Sequence, residues 1–302
     1  MTSSRRTTAL ATLGLLAMTA VWGSTFVLIK DVVARMPVAD FLAVRFVIAA
    51  LVMLALFARP VLRLGRRQVV HGLLLGVVYG LGQLLQTWGL SLIAPSVSGF
   101  ATGMYVVFTP ILAMLLLRQR MAGVVWLAVA LSTAGLALLS LNGVSVDLGV
   151  WLTLASAALY ALHIVGLGQW SRPGEAFGMS ALQVVAIAVV CLLATAPHGP
   201  LLPPDPKAWF AVLYMALIAG AGALLMQTWA QSHLPAARAA IVMTTEPVFA
   251  AAFAVALGSD VLSWRMLLGG GLILAAMYLV ELMPRRGGGG SDMPAEAAHH
   301  EV

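Results

Sequence analysis

An all-α integral membrane fold, with ten transmembrane helices arranged as two inverted five-helix repeats around a central cavity, is what this sequence predicts. Three observations carry the prediction. The 302 residues are 61% hydrophobic and only 9% charged, whereas soluble domains carry about 25% charged residues. Apolar runs of the length that crosses a bilayer core, about 20 residues, recur along the whole chain. Two copies of one tripeptide, Gln86-Thr87-Trp88 and Gln227-Thr228-Trp229, stand at corresponding places in the two halves.

The apolar runs are residues 10–29, 38–58, 69–90, 97–117, 122–141, 148–168, 178–197, 208–228, 236–258 and 263–283. A mean hydropathy of +0.99 leaves no room for a sizeable water-soluble domain. Closed barrels also satisfy backbone groups in lipid, but their alternating strands are absent from the sequence. The organisation expected is a cytoplasmic amino terminus over 1–9, a first repeat over 10–141, a second over 148–283 and a disordered cytoplasmic tail over 284–302. The tail's glycine run, Gly287–Gly290, is left out of fold reasoning. Arg5-Arg6 and the following apolar stretch mimic a cleaved signal peptide. The run continues past Ala20 to Ile29, however, which is long enough to span.

The net charge of +6 suggests nucleic acid at first sight. The basic residues instead sit in short loops between apolar runs, as orientation signals do. With the amino terminus in the cytoplasm, inner segments hold Arg5, Arg6, Arg59, Arg63, Arg66, Arg67, Arg118, Arg120, Arg172, Arg238, Arg285 and Arg286. Outer segments hold only Lys30, Arg35, Lys207 and Arg265. The asymmetry places both termini in the cytoplasm, and the short extramembrane ends suit an inner membrane. The single Cys191 excludes an intrachain disulfide and a multi-cysteine metal site.

The tripeptide repeat extends further. Each copy is followed by a short loop and a run holding a proline: Phe108-Thr109-Pro110 in the fourth run and Thr245-Glu246-Pro247 in the ninth. Five spans per repeat make the second half enter the membrane in the opposite sense. That is the inverted-repeat architecture of secondary transporters, with a binding site near the midplane.

Trp22-Gly23-Ser24, Arg45-Phe46, Pro110, Glu246-Pro247, Gly258-Ser259-Asp260 and Gly269–Gly271 together resemble the EamA-type transporters of the drug/metabolite transporter superfamily. The resemblance covers roughly residues 8–284. It implies ten helices, two repeats and carriage of a small metabolite through a central cavity. The family often has a Gly-Glu pair after spans 4 and 9; here Arg118-Gln119-Arg120 and Ser259-Asp260 stand there.

Polar side chains in the spans line up at helical spacing. Tyr79, Gln83 and Gln86 form one stripe. Ser98, Thr102, Tyr105 and Thr109 form a second, and Ser156, Tyr160 and His163 a third. Trp22, Ser24 and Thr25 add a patch in the first run. Polar groups in hydrocarbon face a cavity or another helix, although Ser and Thr often bond their own backbone. The expected substrate-binding residues are Trp22, Ser24, Tyr79, Gln83, Gln86, Thr102, Tyr105, Tyr160, His163 and Glu246. Glu246 has two readings: a proton-coupling or cation-recognising carboxyl, or a structural carboxyl at a proline kink. Arg45 could reach outward to water, cap span ends or pair with an acid, and the structural role is favoured; His163 reads as packed, with a ligand or proton role the alternative. Gly72, Gly76 and Gly80 recur every fourth residue and invite close helix approach. The fifth and tenth runs lack a polar stripe and are placed at the periphery, as a candidate homodimer surface.

The function expected is a secondary transporter, with export favoured, of small organic metabolites such as amino acids or amphiphilic compounds, by alternating access with proton coupling as an option. The competing reading is a structural or sensor membrane subunit that moves nothing. An enzyme is not expected, since the sequence offers no P-loop and no acid–histidine cluster. No cofactor, metal or nucleic-acid partner is expected either.

Overall fold

A computed structural model describes residues 2–117, 123–142, 145–170, 174–196, 199–223, 225–226, 230 and 242–281. Its helices are α1 (Thr2–Val33), α2 (Val38–Leu62), α3 (Arg66–Leu92), α4 (Pro95–Gly103), α5 (Tyr105–Leu117), α6 (Gly123–Ser140), α7 (Leu148–Trp170), α8 (Ala176–Ala194), α9 (Pro206–Ala216), α10 (Glu246–Ala256) and α11 (Trp264–Glu281). A π-helical stretch, Leu217–Gly222, prolongs α9. Between α6 and α7 a two-residue hairpin pairs Leu141 with Val146 and Asn142 with Ser145.

Among the described residues, six helical segments are long and apolar enough to cross a membrane: Thr7–Val33, Val38–Leu62, Arg66–Leu92, Pro95–Leu117, Leu148–Leu167 and Ala176–Ala194. Four shorter apolar helices, Trp126–Leu139, Pro206–Gly222, Glu246–Ala256 and Trp264–Leu279, fall in the remaining expected spans. Gln227-Thr228-Trp229 and the opening of the ninth run lie outside the described residues, as does the tail after Glu281.

Local chemistry sets the helix ends. Pro60 cannot donate to the carbonyl four residues back, and α2 kinks at Phe57, whose φ of −121° and ψ of 20° leave the helical region. Extended backbone at Ile93 and Ala94 precedes Pro95 and closes α3. Asp205 caps α9, its carboxylate accepting from Ala208 N at 2.8 Å, with Pro206 in the first turn. Gly258, at φ +72°, ends α10. There Ser259 N–H reaches Ala254 O at 2.8 Å, the left-handed stop that glycine adopts without a Cβ clash.

Two large buried apolar clusters form most of the core, beside a small one of Ala11, Leu15 and Ala230. One of the two joins α1, α2, α3, α8 and α9, with Phe41, Leu42, Leu90, Met53 and Met215 among its members. The other joins α4, α5, α7 and α11 around Phe100, Val107, Tyr160 and Met277. Each cluster draws helices from both halves of the chain, so the halves interlace rather than sit as separate bodies. Tyr79 on α3 packs against both clusters. On α10, Ala250 belongs to the first cluster and Ala251 packs on the second. These two helices therefore occupy the seam.

Small residues bring helices close where the core needs it. A Cβ on Gly76 would sit 2.5 Å from Gln183 O and 2.6 Å from Ala186 Cβ; Gly72 and Gly80 likewise face α8. Gly135 and Gly269 face one another's backbones and bind α6 to α11, the peripheral pair expected from the missing polar stripes. Large apolar side chains lie exposed on α6 and α11, among them Trp126, Leu127, Trp264 and Leu267. Such faces suit lipid and would be aggregation surfaces in water. A multi-pass membrane protein is the architecture these helices make.

Charged residues gather at one end. Arg35 pairs with Asp31 at 2.7 Å and with Asp205, and Lys207 lies 3.2 Å from Asp31. These contacts tie the α1–α2 turn to the start of α9. Lys30 lies within α1, not in the loop expected for it. Its Nζ donates to Leu90 O, Ser91 O and Ile93 O, each at 2.9 Å. One ammonium thereby satisfies the carbonyls left open at the end of α3. Asp260 accepts from Ser96 N at 2.9 Å and holds the opening of α4.

Candidate functional site at the helix seam

Helices α3, α4 and α7 share a chain of hydrogen bonds. Gln83 Nε2 donates to the Tyr160 hydroxyl at 2.7 Å. That hydroxyl donates to Gln86 Oε1 at 2.9 Å, and Gln86 Nε2 donates to Thr102 Oγ1 at 3.0 Å. The chain exists because Gln83 and Gln86 lie three residues apart on one helix face. Gly82 lets Tyr160 come close: a Cβ there would sit 2.8 Å from the tyrosine ring. Tyr79 stacks tilted on Tyr160, with ring centroids 4.9 Å apart, and meets His163 edge-on at 5.0 Å. Five expected residues on three helices, Tyr79, Gln83, Gln86, Thr102 and Tyr160, thus form one polar-aromatic wall.

His163 is beside the wall but engaged elsewhere. Its Nε2 lies 2.6 Å from Gln183 Oε1 on α8, and both side chains are buried. This supports the packed reading. Gln183 was not singled out from the sequence, although a lone glutamine within an apolar run is the same kind of signal that marked Gln83.

The fourth-run stripe does not form one continuous face. The run breaks at Met104 into α4 and α5. Thr102 reaches Gln86, whereas Thr109 donates to its own Tyr105 O at 2.7 Å. Tyr105 is buried in the second core cluster. Several other hydroxyls, including Thr19, Ser24, Thr25 and Thr153, also bond carbonyls three or four residues back, the local alternative open to Ser and Thr in any helix.

Trp22 and Ser24 face a different neighbour. Trp22 Nε1 donates to Ala219 O at 2.9 Å, inside the π-helical stretch, and Ser24 Oγ lies 3.0 Å from the Tyr214 hydroxyl. Both contacts join α1 to the α9 segment. A wide helical turn leaves carbonyls free for such donors.

Glu246 opens α10, with Pro247 in the first turn. The proline is therefore no mid-helix kink: Thr244 and Thr245 form a turn just before it, and a first-turn proline needs no N–H donor. The positive end of the helix favours a carboxylate there. Among the described residues, no hydrogen bond or ion pair reaches the Glu246 carboxyl. It acts electrostatically on both the Tyr79 and Tyr160 hydroxyls. Gly99 and Gly103 on α4 press against Ala250 and Pro247 of α10, a four-residue glycine spacing that the sequence reading did not use.

Arg45 departs from its expected outward reach. It is 6% exposed, its guanidinium lies 4.9 Å over the Phe46 ring, and its Nε is buried without a hydrogen-bond partner among the described residues. The Tyr79 and Tyr160 hydroxyls and Cys191 are its electrostatic neighbours. The seam thus carries one buried cation and one carboxyl, both within electrostatic reach of the same two tyrosine hydroxyls. No cluster of metal-binding side chains occurs among the described residues.

Comparison with known proteins fits this architecture. The EamA-like transporter family matches the chain twice, over residues 9–141 and 147–282. An uncharacterized transporter from Archaeoglobus fulgidus is 29% identical over 273 residues, covering 90% of this chain and 86% of that protein. One protein of known crystal structure matches with a TM-score of 0.64 at 21% identity, over 90% of this chain and 96% of its own, a likeness of fold alone. The tandem match takes in nearly the whole chain: it belongs to the EamA-like transporter family and is a membrane transporter.

Proposed function

We propose that this chain is a secondary transporter of small organic metabolites, such as amino acids or amphiphilic compounds, working by alternating access with ten spans in two inverted repeats. Both termini lie in the cytoplasm of an inner membrane, and export is the favoured direction. The observation that carries the reading is the position of Tyr79, packed against both core clusters, with the Tyr160 network and Glu246 at the same seam. Rocking the helices around one cluster against those around the other exposes such a seam to either side in turn.

The helix contacts support the repeat. Spans 3 and 6 pack together, as do spans 8 and 1; spans 1 and 9 do, as do 6 and 4; spans 3 and 7 do, as do 8 and 2. Each of these pairs maps onto the other when the halves are exchanged. The Tyr79, Gln83, Gln86, Thr102 and Tyr160 wall meets solute, with Tyr105 and His163 behind it. Trp22 and Ser24 act on the equivalent seam between spans 1 and 8. Glu246 is the proton-coupling carboxyl. The lipid-facing α6–α11 pair is the surface for a homodimer.

Flux of labelled amino acids and amphiphilic cations into proteoliposomes, with and without a pH gradient, tests this for wild type and Glu246→Gln. Saturable flux that follows the gradient, and ceases to follow it in the variant, is expected. Saturable flux indifferent to gradient and variant leaves a facilitative carrier with a structural Glu246. Absence of flux across the panel, from folded protein, favours a non-transporting structural or sensor subunit.

A further inference from the structure

A guanidinium is charged at any pH a protein meets, so it cannot escape burial by losing its proton. A buried charge without a partner is strongly unfavourable. Arg45 is in that position among the described residues. The guanidinium carbon lies 4.9 Å from the centroid of the Phe46 ring, and the edge of the guanidinium carries its hydrogen-bond donors. Nε lies on that edge and is buried without an acceptor. Nε and its neighbouring terminal nitrogen form the parallel pair of donors that a carboxylate accepts in a fork. No acid among the described residues fills that position: Glu246 and Arg45 both influence the tyrosine pair, but no ion pair joins them.

Arg45 is also well placed to meet a solute. It projects from α2, which belongs to the first core cluster. The tyrosine pair within its electrostatic reach includes Tyr160 of the second cluster and Tyr79, which packs against both. A ligand held by Arg45 and stacked on the tyrosines therefore contacts the helices of both clusters.

We propose that Arg45 is the anion-binding subsite of the solute path, taking a carboxylate-class group of the solute through the Nε edge of its guanidinium. The proposal rests on the transport reading and deepens it. A solute with an acid group at one end docks that end on Arg45 and lays its body on Tyr79 and Tyr160. A zwitterion places its ammonium towards Glu246.

The test uses full-length protein and matched probes: alanine, leucine and phenylalanine, each beside its deaminated acid and its decarboxylated amine. Thermal unfolding in detergent reads binding, and counterflow in proteoliposomes reads transport. At least one acid or amino acid is expected to raise the unfolding temperature and to be carried, while its amine does neither. R45K should weaken that response roughly tenfold, since the ammonium lacks the fork, and R45Q should abolish it. Stabilisation by amines alone, by no probe, or by the acid equally in R45Q overturns the assignment. Carried amines with silent acids remove the Arg45 subsite but leave the transporter standing. Absence of counterflow for every probe and for the wider panel removes both. Where R45Q does not fold, the acid–amine contrast in wild type decides.

Discussion

Helix α3 presents two faces of opposite chemistry to its two main neighbours. Towards α8 it offers Gly72, Gly76 and Gly80, and the helices approach closely there. Towards α7 and α4 it offers Tyr79, Gln83 and Gln86, tied into hydrogen bonds with Tyr160 and Thr102. In lipid no hydrophobic force pulls helices together, so close packing and interhelical hydrogen bonds both serve as cohesion. The glycine face provides the first and the polar face the second. Only the polar face has groups able to recognise a solute, because glycine presents nothing beyond its backbone.

Substitutions should separate the two faces. The largest effect is expected from Gly76→Leu. Even a Cβ would stand 2.5 Å from a backbone oxygen and 2.8 Å from Gln183 Cα, and neither can swing aside. Overpacking costs about 1–3 kcal/mol for well-packed sites, so leucine should remove most of the folded, monodisperse protein on size-exclusion chromatography. Gly271, with no atom within 4 Å of an added Cβ, is the control: Gly271→Ala should behave as wild type. Normal yield from Gly76→Leu would break the assignment of that face.

Tyr160→Phe keeps the ring against Gly82 and Tyr79 but deletes a hydroxyl engaged with both Gln83 and Gln86. A lost interhelical hydrogen bond in a membrane is worth about 0.6–2 kcal/mol. A modest fall in unfolding temperature is expected, with a larger loss of transport than of stability. Equal losses would make the network cohesion alone. Trp22→Phe tests the counterpart seam. It removes one donor from Ala219 O, for about 0.6–2 kcal/mol at most, and thermal unfolding reads the change.

The smallest effect belongs outside the membrane. The Ala208 N–H, with the Arg35 guanidinium second, holds the Asp205 carboxyl below the usual aspartate range, while Asp205 in turn raises Arg35. A depressed folded-state value stabilises above the ordinary aspartate range, and that contribution is lost as pH falls through the lowered value. Asp31 and Lys207 share the network. Unfolding midpoints measured down an acidic pH series should show a small decline that Asp205→Asn flattens. Salt should weaken the same contribution, since these groups are exposed.

Much of the architecture was legible as pattern. The apolar runs marked where helices lie, because a bilayer allows few alternatives. The i, i+4, i+7 stripe on α3 marked a polar wall, and the glycine spacing marked a close contact. Trp22 and Ser24 were legible as polar residues but not as partners of α9, since Trp22 meets a carbonyl in an irregular turn and Ser24 meets the Tyr214 hydroxyl, both brought in from another helix. The Met104 break and the first-turn position of Pro247 were equally hidden: a proline announces a disturbance, and the surrounding packing decides whether it kinks a helix or begins one.

Composition and period alone determined that this chain is a multi-pass, helical membrane protein with polar faces on its third and sixth runs. Those are local properties, set by what hydrocarbon tolerates and by 3.6 residues per turn. Only the tertiary structure decided which faces meet, that the two halves interlace into shared cores, and that Arg45 is buried beside Phe46 rather than turned out to water. A side chain's partners come from other helices, and no spacing along one helix encodes them.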